Sequence, residues 1–181
     1  MKKRILFACL AIILLFSGCT VSFEFGTRPP ASPAESEPLT FMIPRNWLEE
    51  HPTPELQRSI DQIQQLIDEN PYMGPANDFW VNHIGTNRQT MTFTWLAVNR
   101  TGRAIQNISF DLTFFRAGEL YTIPIELTEE FIGVIPNQAA TVFMLNLPIA
   151  ETFEYFITLL NDAMDGTASM TLENAEIDFA D

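Results

Sequence analysis

The sequence predicts a mainly β protein, an antiparallel β-sandwich with one or two accessory helices. Three observations support this class. After residue 77, apolar and polar residues alternate over several short stretches, turn signals separate these stretches, and a helical period appears in only two places along the chain. Alternation with a period of two puts one face of each strand in a core, and several such strands separated by turns favour a sandwich.

The first predicted element is a helix within the segment 41–76. Thr53 is a candidate N-cap, and Pro54 suits the first helical position. Asn70 and Pro71 favour an end to the helix. Between these limits the apolar residues form one stripe at helical spacing, made of Leu56, Ile60, Ile63, Leu66 and Ile67. The stripe predicts a face that packs on or beside the β domain, and a partner-binding helix is the alternative.

The β domain is predicted over residues 77–181. Four of its strands are MTFTWLAV at 91–98, IQNISFDLTFFR at 105–116, LYTIPIEL at 120–127 and TVFMLNLPI at 141–149, with turn signals at 99–103 and 117–119. Pro124 has no amide hydrogen, so its strand is predicted at a sheet edge. The stretch 141–149 is apolar on both faces, which predicts a more buried strand.

The helical period returns once more before the last strand. Residues 150–166 carry an apolar stripe made of Phe153, Phe156, Ile157 and Leu160, and Gly166 could cap the end. In the final stretch, 168–181, the apolar positions change parity after Leu172. This change predicts a strand with a bulge near Asn174.

The charge balance excludes some classes of partner. The chain has 23 acidic residues against 10 lysines and arginines, a formal net charge of −13. The only lysines are Lys2 and Lys3, and residues 19–181 contain seven arginines against all 23 acids, a net charge of −16. Such a body repels phosphate backbones and anionic lipid faces, so we expect no nucleic acid partner.

The amino terminus has the pattern of a targeting segment. The basic start MKKR precedes twelve apolar residues, Ile5 to Phe16. A membrane-spanning helix needs about 20 apolar residues, so this run suits the apolar core of a signal peptide better. Ser17 and Gly18 lead directly into Cys19. An ordinary cleaved signal followed by an incidental cysteine is the alternative.

The stretch Phe16-Ser17-Gly18-Cys19 resembles the lipobox of bacterial lipoproteins, with Phe16 in place of the usual aliphatic residue. The resemblance implies a signal peptide at 1–18 and a lipidated Cys19, in a protein held at the cell membrane or the outer membrane on its extracytoplasmic side. Two or three acyl chains hold a protein firmly to a bilayer. The segment 19–40 contains four prolines between Gly26 and Pro38, which predicts an extended tether.

A second resemblance covers residues 90–147. The stretch is similar to the small immunoglobulin-like β-sandwich modules of bacterial surface proteins, the FxLYD-like and SLAP-like groups. The matching positions are Asn99, Ile105, Asn107, Ile108, Gly118 and Ile135-Pro136-Asn137, while Arg116-Ala117 stands where those modules usually have an aspartate. Such modules are mostly non-catalytic, so the resemblance implies no catalytic residue.

The residue content offers little chemistry. The two histidines, His51 and His83, are far apart in sequence, and no catalytic or phosphate-binding motif occurs. Asp162 and Asp165 lie beside a glycine but lack the spacing of a calcium loop. We therefore expect no enzyme, no cofactor and no metal ligands.

Two tryptophans remain as candidate contacts. Trp47 precedes the predicted helix and Trp80 starts a predicted strand, so either could contact a partner or pack in a core. The expected function is that of a membrane-anchored, non-enzymatic binding module whose partners are the bilayer, through acylated Cys19, and another envelope protein or a glycan. A receptor for a small ligand or a divalent cation is the alternative function.

Overall fold

The structure is a computed structural model that describes residues 20–24, 37–49 and 53–181. These residues form two sheets and four helices. The strands are β1 (Thr20–Glu24), β2 (Thr40–Phe41), β3 (Asp78–Asn87), β4 (Thr92–Asn99), β5 (Ile105–Arg116), β6 (Glu119–Leu127), β7 (Ala139–Asn146) and β8 (Ala168–Phe179). The helices are α1 (Arg45–Glu49), α2 (Pro54–Glu69), α3 (Glu129–Ile132) and α4 (Ala150–Met164).

The strands divide into a larger sheet A, in the order β1-β3-β4-β7-β2, and a smaller sheet B, in the order β6-β5-β8. The prediction of a wholly antiparallel sandwich is wrong in one pair, because β2 runs parallel to β7. That pairing depends on where the chain arrives after residue 37, which no local pattern reveals. Both β1 and the start of β2 fall inside the segment 19–40 that was predicted as a tether.

The main core lies between the facing sides of the two sheets. Alternate residues of each strand enter it, as the period of two predicts. Sheet A contributes Phe79, Val81, Phe93, Trp95, Ala97 and Phe143, and sheet B contributes Ile108, Phe110, Leu112, Phe114, Ile123 and Ile125. Phe110 meets Phe143 edge-on at 6.3 Å between ring centroids, so aromatic contacts join the two layers.

Helix α4 closes one end of this core. The ring of Phe156 lies 4.6 Å from that of Phe93 in sheet A and 5.1 Å from that of Phe114 in sheet B, measured between centroids. The apolar stripe predicted for this segment is therefore confirmed as a core face. Two ion pairs, Arg88–Glu154 and Arg116–Asp162, connect the helix to the strand ends around it.

Helices α1 and α2 cover the outer side of sheet A. A second buried cluster forms there between the helices and the strands, made of Leu39, Trp47, Ile63, Ile67, Trp80, Leu96, Val98, Ala140 and Val142. Helix α2 begins as predicted, because the Thr53 hydroxyl accepts a hydrogen bond of 3.1 Å from the amide of Leu56. This layer explains why β7 is buried on both sides over residues 139–143. Further along the stretch predicted as a buried strand, Met144 and Ile149 are exposed.

Two local predictions for sheet B are confirmed. Strand β6, which contains Pro124, is an edge strand. In β8 the register against β5 shifts after Ser109, and Asn174 has a positive φ of 51°. Asn tolerates this left-handed conformation better than most residues, which explains why it occupies the bulge.

Candidate functional site

The histidines do not come together in a site. His51 lies outside the described residues. The Nε2–H of His83 donates to the carbonyl oxygen of Gly85 at 2.9 Å, and the ring packs 5.2 Å from that of Trp95. Burial lowers the pKa of His83 from its ordinary value, and the hydrogen bond to Gly85 opposes that effect. The side chain therefore packs at the border of the main core, next to the β-bulge of β3.

The described residues also offer no cluster of ligands for a metal ion. Within 20–24, 37–49 and 53–181, no three His, Cys, Asp or Glu side chains converge in a way that could hold one. Asp162, one of the two aspartates weighed for calcium, pairs instead with Arg116. The acidic residues of the described chain are thus spread over surfaces and are not gathered at a point.

The two tryptophans proposed as partner contacts are both buried. Trp47 is 6% exposed and Trp80 is 8% exposed. Both belong to the cluster between sheet A and its helices. Neither side chain has the exposure that a contact role requires, because the hydrophobic effect favours burial of both between sheet A and its helices. As placed, they support the packing alternative.

Several of the positions that carry the immunoglobulin-like resemblance, Asn99 and the stretch at Ile135 and Pro136, belong to a hydrogen-bond network at the end of the sandwich opposite α4. Asn99 is fully buried, and its Nδ2 group donates to the carbonyl oxygens of Arg103, Ile135 and Pro136. Its Oδ1 accepts from the amide and hydroxyl of Thr101. This one side chain fixes the crossing from β4 to β5 against the loop before β7.

Neighbouring residues extend the network. The guanidinium of Arg100, 3% exposed, donates to the carbonyl oxygens of Met73 and Pro71 and to Oε1 of Gln138. Burial lowers the pKa of Arg100, while Tyr72 acts in the opposite direction. These partners are neutral, and through them Arg100 joins the segment after α2 to the sandwich.

One sheet face remains uncovered by any described element, and this is the outer side of sheet B. We call it the open face. It consists of the outward residues Leu120, Thr122, Pro124 and Glu126 of β6, Asn107, Ser109, Asp111, Thr113 and Phe115 of β5, and Ser169, Thr171, Glu173, Glu176 and Asp178 of β8. All those on β6 and β8 are exposed. The alternation in these strands predicts which residues point outward. It does not predict that the helices cover the outer side of sheet A and leave the outer side of sheet B open.

The open face has a polarity gradient along its strands. At the end near α4, Phe115 and Leu120 are cross-strand neighbours that are 51% and 66% exposed. A row of threonines follows, in which the hydroxyls of Thr113 and Thr122 lie 3.3 Å apart. Towards the other end come five carboxylates, those of Asp111, Glu126, Glu173, Glu176 and Asp178. Apolar and acidic zones thus lie side by side on one surface.

Cys19, the residue predicted to carry lipid, lies outside the described residues. The described chain begins at the next residue, Thr20, which is the first of β1. Strand β1 runs antiparallel to β3, with Thr20 opposite Asn82 and Glu24 opposite Asp78.

Comparison of the chain with known protein families, with curated proteins and with solved structures finds no match. Among the helices of the described residues, none has the length and apolar character needed to cross a bilayer.

Proposed function

We propose that the protein is a lipid-anchored, non-enzymatic binding module of the cell envelope that faces the extracytoplasmic side. The single observation that carries the binding role is the open face. Helices cover one outer side of the sandwich, while the other presents two large apolar side chains, Phe115 and Leu120, beside polar rows. A surface that combines an apolar contact with a polar surround is typical of protein interfaces.

We infer further that the two sheets form an immunoglobulin-like sandwich. The strand orders β3-β4-β7 and β6-β5-β8 support this, because they correspond to strands A-B-E and C′-C-F of that fold. Successive crossings between the sheets, from β4 to β5, β6 to β7 and β7 to β8, agree with it. Helix α4 then occupies the connection from E to F. An experimental structure with another strand order would contradict the assignment.

The membrane role rests on the amino-terminal pattern that ends in Cys19. Lipid on this residue would place the anchor one residue before β1, at the edge of sheet A beside β3. The partner of the anchor is the bilayer of the cell membrane or the outer membrane. Two or more acyl chains would hold the body there stably.

The anchor is tested with the variant Cys19→Ser expressed in the cells that produce the protein. We expect the wild-type chain to require detergent for release and its mature amino terminus to carry diacylglycerol on Cys19 by mass spectrometry. The serine variant should lose both properties. A wild-type chain that keeps its initiator methionine, or begins at Cys19 without lipid, would refute the anchor.

The binding role is tested by site-specific cross-linking in intact cells. A photoreactive phenylalanine analogue replaces Thr122 on the open face, and a matched variant carries it at Gln64, an exposed position of α2. We expect one defined envelope component to be captured from position 122 and not from position 64. Equal capture from both positions, or none from position 122, would count against the open face as a binding surface.

A further inference from the structure

On the open face, carboxylates of like charge lie on neighbouring strands, an arrangement that lowers the stability of a sheet. Asp111 and Glu173 lie directly opposite each other on β5 and β8, and Glu126 and Glu176 flank Ser109 on either side. Neighbouring strands are about 4.8 Å apart, so the latter two are roughly 10 Å apart at the backbone. Like charges directly opposite in a sheet are destabilising. A local rule broken in this way is expected at functional surfaces.

Nothing in the described chain neutralises these carboxylates with a positive charge. The described arginines are engaged elsewhere: Arg45, Arg58, Arg88 and Arg116 pair with other acids, Arg100 is buried, and the Arg103 guanidinium lies 4.3 Å from the Phe179 ring centroid. The hydrogen bonds to the five carboxylates come from neutral groups, such as the Asn174 amide at 2.7 Å from Asp111. The open face therefore has uncompensated negative potential.

The layout of the charges favours an extended occupant over a single ion. The carboxylates are spread over three strands, and within the described residues no three acids meet around one point. From Phe115 to Asn107 the surface extends over eight residue steps, about 27 Å at about 3.4 Å each. An extended polypeptide of about eight residues would cover that length. A second copy of this face is unsuitable, because its own carboxylates would repel these.

We propose that the open face binds a segment of polypeptide rich in lysine or arginine, with apolar residues at the end that reaches Phe115 and Leu120. This inference rests on the proposed function and names the chemistry of the partner. Basic side chains of the segment pair with the carboxylates of β6 and β8, which supplies both attraction and orientation. The apolar end fixes the direction of the segment along the strands.

The test uses the full chain in detergent and a synthetic ten-residue peptide of alternating lysine and threonine that ends in two leucines. An open-face variant carries Glu126→Gln, Glu173→Gln and Glu176→Gln. A matched control carries Asp61→Asn, Asp68→Asn and Glu69→Gln on the exposed side of α2, and therefore has the same net charge. Dissociation constants are measured by titration calorimetry, and amide chemical shifts report the location of binding.

We expect the open-face variant to bind the peptide roughly tenfold more weakly than wild type, since three exposed ion pairs are lost. The α2 control should stay within about twofold, because its carboxylates lie on another surface. Amide shifts should concentrate in β5, β6 and β8. Thermal unfolding of the variants checks that both remain folded.

Three results would overturn the inference. The first is equal weakening of peptide binding in both variants, which would mean that only net charge matters. The second is a set of amide shifts located away from sheet B. The third is absence of peptide binding by the wild-type chain. If any of these occurs while cross-linking from position 122 still captures one component, the proposed function stands and only the basic chemistry of the partner is wrong. Loss of the cross-link as well removes both.

Discussion

At the scale of single residues, a few buried polar side chains hold the sandwich in register. Asn99 uses both ends of its amide to satisfy five groups of the surrounding chain. A buried polar group stabilises a fold when all its partners are present and is costly when they are removed. Asn99 should therefore be among the least replaceable polar residues in the protein.

We expect Asn99→Ala to lower the free energy of unfolding by about 3 kcal/mol, because the variant loses the Nδ2 hydrogen bonds to three carbonyl oxygens and the Oδ1 acceptor of the Thr101 amide, all made by a fully buried side chain. Urea denaturation followed by circular dichroism measures the change. Asn146→Ala at the exposed end of β7 is the control and should change stability by less than about 0.5 kcal/mol. Similar losses in the two variants would show that the network around Asn99 contributes little.

His83 should give the protein a specific dependence on pH. Its folded-state pKa lies below the ordinary value of 6.5 because burial disfavours the charged ring. The unfolded chain therefore binds the proton more tightly than the folded chain. The stability associated with neutral His83 is fully present above about pH 6.5 and is lost as the pH falls towards the folded pKa.

We expect the melting temperature of wild type, relative to His83→Gln, to fall between about pH 7 and about pH 5. Differential scanning calorimetry of both proteins in the same buffers isolates the contribution of the histidine, because the two proteins differ only at residue 83. Parallel curves for the two proteins over this range would mean that His83 does not titrate with a lowered pKa.

At the scale of elements, α2 is an integral layer of the fold. Its stripe is buried on sheet A, with Ile63 at 7% and Ile67 at 0% exposure, and the segment after it is held by Arg100. The structure therefore does not support the alternative of a helix whose apolar face is free to bind a partner. The helix and the sandwich should therefore unfold together.

We expect Ile67→Ala to cost about 3 kcal/mol of stability, the usual range for removing a fully buried aliphatic side chain. Unfolding should remain a single transition when it is followed by tryptophan fluorescence and by circular dichroism of the strands. The fluorescence comes from Trp47 and Trp80 beside α2 and from Trp95 in the main core. Gln65→Ala on the exposed side of the helix is the neutral control. A fluorescence transition that precedes the loss of strand signal would show that α2 detaches independently.

The elements that the sequence predicts well are those with strong periodicity, such as α2, α4, β5 and β6. Strand β3 is buried on both sides at its start, over Asp78 to Val81, so alternation does not mark it clearly. Strand β2 has two residues and α3 has four, too few for any period. Their positions follow from pairing with β7 and from the Asn107 side chain, whose Oδ1 accepts from the Glu129 amide.

The candidate surface could be predicted only in part for a similar reason. The outward parity of Asp111, Glu173 and Glu176 is visible in the sequence once the bulge at Asn174 is recognised. The path of the chain from residue 37 to residue 76 determines which sheet the helices cover. Because they cover sheet A, Trp47 and Trp80 are buried and the outer side of sheet B stays open. Pairwise packing between layers is not encoded in any one segment.

At the scale of the whole molecule, the main electrostatic fact is excess negative charge, −16 over residues 19–181. Self-repulsion of this kind destabilises a compact chain, and dissolved salt screens it. We expect the melting temperature at pH 7 to rise by a few degrees when sodium chloride is raised from about 0.01 M to about 0.2 M.

Fluorimetry of thermal unfolding measures the salt effect, and the same titration near pH 4 is its control. Acid reduces the net negative charge of the chain, so the gain should be smaller. A melting temperature that is insensitive to salt at pH 7, or a larger gain near pH 4, would contradict the importance of self-repulsion.

The edges of sheet B bear on how the protein behaves when crowded. Pro124 removes one backbone N–H donor from the edge strand β6. The bulge at Asn174 and the neighbouring acids make the edge strand β8 irregular and negatively charged. Unprotected edge strands are the points at which β proteins polymerise into fibrils. Because both margins of this sheet are blunted, densely arrayed copies should remain separate molecules, each with its acidic surface free, even at concentrations that would make a smooth-edged sheet aggregate.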